Sequence, residues 1–204
     1  IIPLGEWILT EACRHLKQWQ QIAPRFQHLR VNVNIAGSQL WDPALLSKLD
    51  QILSDVGLSG HYLRLEMTET TLIEQTEKVI EVLRQIRQRG VQLSIDDFGT
   101  GYSSLSYLSR LPIDNLKIDQ SFVSRMHLEA NSLEIVRTIT ALAQTLGMDV
   151  TAEGIELELQ LYLLKELKSE FGQGYYFSKP LRAEAIATLL RECPQGRPAS
   201  PVMT

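Results

Sequence analysis

The sequence predicts an α/β fold in which a parallel, barrel-type sheet is covered by helices. Three observations predict this class. Segments with strand-like alternation and segments with helix-like periodicity follow each other six times along the 204 residues. The predicted strands end in polar residues that share one face, while the other face is aliphatic. Finally, 44% hydrophobic and 22% charged residues are ordinary for a globular domain with a sizeable core.

The first half of the chain reads as alternating helices and strands. Apolar residues at three- and four-residue spacing indicate the helices, and strict alternation indicates the strands. Pro24 ends the first helix, while Gly57 and Gly90 close the next two. In order, we predict a helix at about 4–22, a strand at 29–34, a helix at 43–56, a strand at 62–66 and a helix at 73–89.

The second half continues the pattern from a strand that begins near Val91. A short helix is stopped before Pro112, and Gly147 ends a longer one. Residues 1–190 form one predicted domain, and the Pro-rich tail 191–204 is expected to be disordered. The remaining predictions are a short helix at 103–109, a strand at 115–119, a helix at 136–146, a strand at 149–153, a helix at 157–167, a strand at 174–177 and a helix at 183–190.

Polar residues stand at or just past the carboxyl ends of the predicted strands. The carboxyl ends of parallel strands form the face on which barrel active sites lie. Unpaired charges in a barrel interior would be costly, so a metal ion and a polar ligand are their natural counterparts. These residues are Asn34, Glu66, Asp96, Lys117, Asp119, Glu153 and Gln173.

The stretch from Ser94 to Ser104 organises this prediction. Asp96 and Asp97 are adjacent carboxylates that repel each other unless a cation lies between them. Carboxylate oxygens suit hard cations such as Mg²⁺ or Mn²⁺. The alternative is a solvated turn, which the strand-end residues elsewhere in the chain argue against.

Composition narrows the class of function. A net charge of −4 lacks the excess of basic residues that is typical of nucleic-acid-binding domains. No apolar run reaches membrane-spanning length, and no signal peptide is visible. Cys13 and Cys193 fit a reduced, cytoplasmic chain better than a disulfide framework. Because the sequence opens on Ile1, we expect it to be part of a longer protein.

Six stretches in register resemble the EAL domain family of cyclic di-GMP phosphodiesterases. One such match would be weak, but their order and spacing agree over nearly the whole chain up to Leu190. The stretches are Val33–Ile35, Leu65–Thr70, Asp96–Leu105, Leu116–Asp119, Ala152–Glu156 and Gln173–Pro180.

The resemblance implies a modified TIM (β/α)8-type barrel with one antiparallel strand, of which this chain would supply about six β/α units. It implies hydrolysis of cyclic di-GMP to linear pGpG with two Mg²⁺ or Mn²⁺ ions. The implied metal ligands are Asn34, Glu66, Asp96, Asp97 and Glu153.

The resemblance also assigns roles to other polar residues. Lys117 would contact or activate the attacking water, Glu153 would hold metal or water, and Gln173 would position water and substrate. Glu69 would anchor the loop 97–104, which shapes the metal site and a homodimer contact. Two alternatives stay open: Lys117 as a structural ion pair with Asp119, and Glu69 as a surface cap of the helix from Ile73.

One departure from the family concerns its naming motif. The sequence contains no Glu-Ala-Leu tripeptide, whose Glu is a metal ligand in the family. We therefore expect residues 1–204 alone to be inactive as a phosphodiesterase. The alternatives are a catalytically degenerate module that binds cyclic di-GMP, or a truncated product without activity. A sensory or GGDEF domain could precede this one in the longer protein.

Overall fold

The computed structural model describes residues 1–73, 77–101 and 105–192. The expected disordered tail lies outside these residues except for its first two positions, which belong to the last helix. Cys193 also lies outside them. No helix in the described ranges combines the length and the apolar composition needed to cross a bilayer.

The sheet contains six strands in the order of the chain, and every adjacent pair is parallel. This arrangement, a half-barrel with helices outside it, confirms the predicted class. The strands are β1 (Val31–Asn34), β2 (Leu63–Thr68), β3 (Gln92–Phe98), β4 (Asn115–Ile118), β5 (Asp149–Ala152) and β6 (Phe171–Gly172).

Helices connect the strands. Gly57 ends the third helix with a left-handed φ of 65°, a conformation that glycine adopts without steric cost. In the described residues the helices are α1 (Ile2–Ile22), α2 (Gly37–Leu40), α3 (Leu45–Val56), α4 (Glu69–Ile73), α5 (Glu77–Gln88), α6 (Leu105–Leu108), α7 (Gln120–Val123), α8 (Ala130–Thr145), α9 (Glu158–Glu166) and α10 (Ala183–Glu192).

The predicted strand at 174–177 is wrong. The strand lies earlier, at Phe171–Gly172, and the chain then turns, with the N–H of Phe177 donating to the carbonyl of Gly174 at 3.1 Å. The aromatic residues of this segment have high strand propensity, but propensity gives way to tertiary context. The correction places Gln173 directly after the strand.

The helix predicted at 73–89 also differs from the structure. Helix α4 begins earlier, at Glu69, α5 covers Glu77–Gln88, and residues 74–76 lie outside the described part of the chain.

Alternation along the strands separates an apolar from a polar face. Leu65, Leu93, Leu116 and Val150 are at most 1% exposed and belong to the hydrophobic core, which includes apolar residues of α5 and α8. On the opposite face, polar side chains of the central strands β2, β3 and β4 are largely buried, whereas those of the edge strand β1 are exposed. The fold therefore places polar groups inside, where each needs a hydrogen-bond or ion-pair partner.

Candidate metal centre

Four charged side chains meet at the carboxyl ends of the central strands. The Nζ of Lys117 lies 2.9 Å from Oε2 of Glu66, 2.9 Å from Oδ1 of Asp96 and 2.7 Å from Oε1 of Glu153. We call these residues the acidic–lysine cluster. Lys117 and Glu66 are 3% and 5% exposed. Three carboxylates around one ammonium leave two negative charges uncompensated, an arrangement suited to a divalent cation.

Strand parity explains why these four residues meet. Glu66 and Lys117 alternate with buried aliphatic residues in β2 and β4, so both project from the polar face. Asp96 lies near the end of β3, and Glu153 directly follows β5. Alternation along the strands predicted all four on this face, and the structure brings them into contact.

A β-bulge brings the second aspartate to the same place. Two residues of β3, but only one of β4, lie between the register pairs Ile95–Leu116 and Phe98–Ile118, so β3 contains one extra residue there. Asp97 has a positive φ of 53° at this irregularity. In a regular strand, Asp96 and Asp97 would point to opposite faces. Here oxygens of both, together with one of Glu153, lie within 4.8 Å of one another.

Burial and neighbouring charges shift the pKa values of three residues in and beside the cluster. Burial lowers the pKa of Lys117, but the hydrogen bonds to Glu153 and Glu66 outweigh it, and the net pKa lies above its ordinary value. Burial raises the pKa of Glu153 against the opposing effect of Lys117. Burial, followed by the charges of Asp96 and Asp119, raises the pKa of Asp97.

Lys117 does not form the ion pair with Asp119 that was one alternative. Its ion-pair partners among the described residues are the three carboxylates of the cluster. Asp119 instead caps α7, because its Oδ1 accepts a hydrogen bond from the N–H of Ser121 at 2.9 Å. It remains close enough to Asp97 to affect its pKa.

The two outermost predicted site residues are exposed. Asn34 pairs in register with Glu66 but has an exposed side chain at the edge strand β1. Gln173 is exposed past β6, and its backbone is held by Ala152 and Ile155, with hydrogen bonds of 2.8 and 3.1 Å. Asn34 ends the first strand of the sheet and Gln173 follows the last one, so the two residues lie at opposite ends of the sheet.

Sequence reasoning missed Asn32. Its Nδ2 donates a hydrogen bond to Oε1 of Glu66 at 2.8 Å. Asn32 and Asn34 have the same parity in β1, and Asn34 was selected because it stands at the carboxyl end of the strand and matches the family motif. The available signal was this repeated asparagine on the polar face.

Glu69 is buried rather than on the surface, with 3% of its area exposed. Its Oε2 accepts hydrogen bonds from the backbone N–H groups of Gly99 at 3.2 Å and Gly101 at 3.3 Å. It therefore contacts the loop after β3, of which residues 102–104 lie outside the described part of the chain. A surface cap of a helix from Ile73 is not what the structure contains.

A neutral layer lies beneath the cluster. Oγ of Ser94 donates to Oδ1 of Asn115 at 2.8 Å, and Nδ2 of Asn115 donates to Oγ1 of Thr151 at 3.1 Å. Ser94 and Asn115 are fully buried. Next to the charged cluster, the same strands therefore carry a layer of uncharged side chains that hydrogen-bond to one another.

The residues fit a divalent cation. Carboxylate oxygens are the ligands that Mg²⁺, Mn²⁺ and Ca²⁺ prefer. Oxygens on opposite sides of such an ion are roughly 4–5 Å apart, comparable with the 4.8 Å limit for Asp96, Asp97 and Glu153. The ammonium of Lys117 also shows that this pocket accepts positive charge.

Known proteins resemble this chain in sequence and in structure. The sequence model of the EAL domain matches residues 1–180. The chain is 43% identical over 191 residues to cyclic di-GMP phosphodiesterase NbdA of Pseudomonas aeruginosa, covering 94% of this chain and 24% of NbdA. The chain thus spans about a quarter of the length of the curated relatives it matches.

Two solved structures extend the comparison. The PaMucR phosphodiesterase in complex with c-di-GMP has a TM-score of 0.86 and 36% identity, covering 91% of this chain and 74% of that one. A manganese and cyclic di-GMP complex of Klebsiella pneumoniae BlrP1 has a TM-score of 0.79 and 28% identity, covering 88% and 45%.

Proposed function

Because this chain belongs to the EAL domain family, we propose that the protein containing it hydrolyses cyclic di-GMP to linear pGpG with the help of Mg²⁺ or Mn²⁺, two ions per site. The acidic–lysine cluster is the observation that carries the proposal. Three carboxylates and an ammonium within 2.9 Å suit both cation binding and the stabilisation of a phosphoryl group. Complexes of relatives with c-di-GMP and manganese support this choice of ligand and metal.

The carboxylates would hold the cations. We assign Glu66, Asp96, Asp97 and Glu153 as ligands, with Asn34 at the edge of the site. Divalent cations in such a site neutralise the phosphoryl oxygens and lower the pKa of water. The β-bulge contributes by turning Asp97 toward the same space as Asp96.

Lys117 and Glu153 would act on the attacking water and the phosphate. Water adds to phosphorus, the bond from phosphorus to one ribose 3′-oxygen breaks, and that oxygen leaves as a hydroxyl. The ammonium of Lys117 can donate hydrogen bonds to the water and to phosphoryl oxygens, where its charge is effective because the site is shielded from solvent. Glu153 would accept a hydrogen bond from the water, and Gln173 would orient the substrate.

The proposal includes partners and location. We propose a homodimer that forms through the loop and helix after Asp97, and further domains, sensory or GGDEF, elsewhere in the protein. The share of the relatives' length that this chain covers supports additional domains. We also propose a cytoplasmic location, which the low cysteine content favours.

Chromatographic measurement of pGpG tests the function. The full-length protein is incubated with cyclic di-GMP and Mn²⁺, with Mg²⁺, or with a chelator, alongside Asp96→Asn and the exposed control Asp55→Asn. We expect release of pGpG only with metal, lost in Asp96→Asn and kept in the control. Binding of cyclic di-GMP without turnover in every metal would overturn hydrolysis and establish the degenerate binding module.

A further inference from the structure

We propose that Asn32 is a positioning residue that fixes the orientation of the Glu66 carboxylate in the metal centre. The inference rests on the proposed function and adds a residue to it. Both oxygens of Glu66 are hydrogen-bonded, since Oε1 accepts from Nδ2 of Asn32 at 2.8 Å and Oε2 accepts from Nζ of Lys117 at 2.9 Å. The two donors hold the carboxylate from opposite oxygens.

The contact is not a by-product of strand pairing. In the register of β1 and β2, Asn32 lies directly across from Arg64, and Asn34 lies across from Glu66. The Asn32 amide therefore donates diagonally across the parallel pair, to a residue two positions beyond its register partner. Because a carboxylate only accepts hydrogen bonds, the amide must turn its NH₂ group toward Glu66.

Glu66 needs this support because of where it lies. Its side chain is 6% exposed, so water reaches the carboxylate poorly. A glutamate has several rotatable bonds, and without Asn32 the Oε1 atom loses its partner while Lys117 still draws on Oε2. The carboxylate could then turn toward Lys117 and away from a metal ion. Groups that orient metal ligands typically change metal affinity about 10–100-fold when they are removed.

Calorimetric titration of the full-length protein with Mn²⁺ tests this role. The variants are Asn32→Ala, which removes the donor, and Asn32→Gln, which keeps an amide on a longer side chain. The matched control is Gln85→Ala, which removes an amide–carboxylate hydrogen bond of 3.1 Å to Glu81 on the exposed face of α5. Thermal unfolding without metal is measured for each protein.

We expect Asn32→Ala to bind Mn²⁺ roughly tenfold more weakly, with a lower midpoint of metal-free unfolding because the buried Oε1 of Glu66 loses its donor. Asn32→Gln should recover part of the affinity, and Gln85→Ala should match wild type. Because Asn32 acts on ligand orientation, saturating Mn²⁺ should return the kcat of Asn32→Ala close to wild type.

Wild-type Mn²⁺ affinity in Asn32→Ala would overturn the inference, as would a lower unfolding midpoint with unchanged affinity. A wild-type protein that binds no Mn²⁺ would overturn the metal centre itself. The two failures are distinguishable, because the first appears only in the variant and the second already in wild type.

Discussion

Glu69 and Gly101 are linked by a hydrogen bond of 3.3 Å from the backbone N–H of the glycine to the buried carboxylate. Gly99 donates to the same oxygen at 3.2 Å. One side chain directly after β2 thus holds the backbone that follows Asp96 and Asp97 of β3, the proposed metal ligands. Hydrogen bonds to a charged acceptor contribute about 1.5–3 kcal/mol each, so this contact can determine whether the loop is ordered.

Replacement of Glu69 by alanine should loosen the loop without removing a metal ligand. We expect faster hydrogen exchange at the N–H groups of Gly99 and Gly101, weaker Mn²⁺ binding and a weaker dimer by sedimentation. Glu166→Ala, at an exposed position of α9, is the control. Unchanged exchange, metal affinity and sedimentation in Glu69→Ala would show that another contact orders the loop.

Gly101→Ala should reproduce the effect from the other side of the contact. A Cβ at this position would lie 2.8 Å from Cδ of Glu69, closer than real Cβ contacts, so the carboxylate would have to move. We expect reduced Mn²⁺ affinity in calorimetry although Glu69 itself is intact. Wild-type affinity in this variant would mean that the loop tolerates a displaced carboxylate.

Lys117→Met should destabilise the metal-free protein. The substitution keeps much of the side-chain length but leaves Glu66, Asp96 and Glu153 without their shared cation. Removing one partner of a buried ion pair costs about 3–5 kcal/mol. Chemical unfolding in the presence of a chelator measures this loss, with Lys117→Arg as the charge-preserving control.

Added Mn²⁺ should then stabilise Lys117→Met more than wild type, because the divalent ion replaces the missing positive charge. Thermal unfolding with and without Mn²⁺ measures the difference. Equal shifts in both proteins would contradict the view that ammonium and metal compensate the same carboxylates.

Asp97→Asn separates the charge of this residue from its backbone. Asparagine tolerates the positive φ of 53° observed here, so the fold should persist by circular dichroism. Loss of the carboxylate should abolish pGpG release and weaken Mn²⁺ binding by more than the roughly 10–100-fold typical of outer partners. Turnover at the wild-type rate in Asp97→Asn would show that Asp97 is not a metal ligand.

Strand parity predicted the acidic–lysine cluster because alternation in a parallel sheet fixes which side chains share a face. It could not choose between Asn32 and Asn34, which have equal parity, and the choice depends on side-chain reach. The bulge at Asp97 is also invisible to alternation, since it arises from the pairing of β3 with β4. The strand at 174–177 was misplaced because local aromatic content does not reveal where the partner strand β5 ends.

The thiol of Cys13 offers a pH-dependent measure of the core. It is fully buried, and burial raises its pKa from 9.0 to about 11. The unfolded chain therefore ionises first as pH rises. The stability associated with the neutral thiol is complete below pH 9 and is lost between pH 9 and about 11.

Urea unfolding of wild type and Cys13→Ala from pH 8 to 11 tests this dependence. The difference in unfolding free energy should be constant below the ordinary pKa and then fall, by at most about 1.4 kcal/mol per pH unit. A difference that stays flat across this range would show that water reaches the thiol in the native state.

The order of strands in the sheet equals their order in the chain. In the described part of the chain, each strand from β2 onward therefore pairs with the strand synthesised just before it. In a polypeptide emerging from the ribosome, the pairing partner of β3 and then of β4 has therefore already been synthesised when that strand appears. Glu153, which follows β5, is the last member of the acidic–lysine cluster to be synthesised, so the cluster forms only after β2, β3 and β4 have left the ribosome.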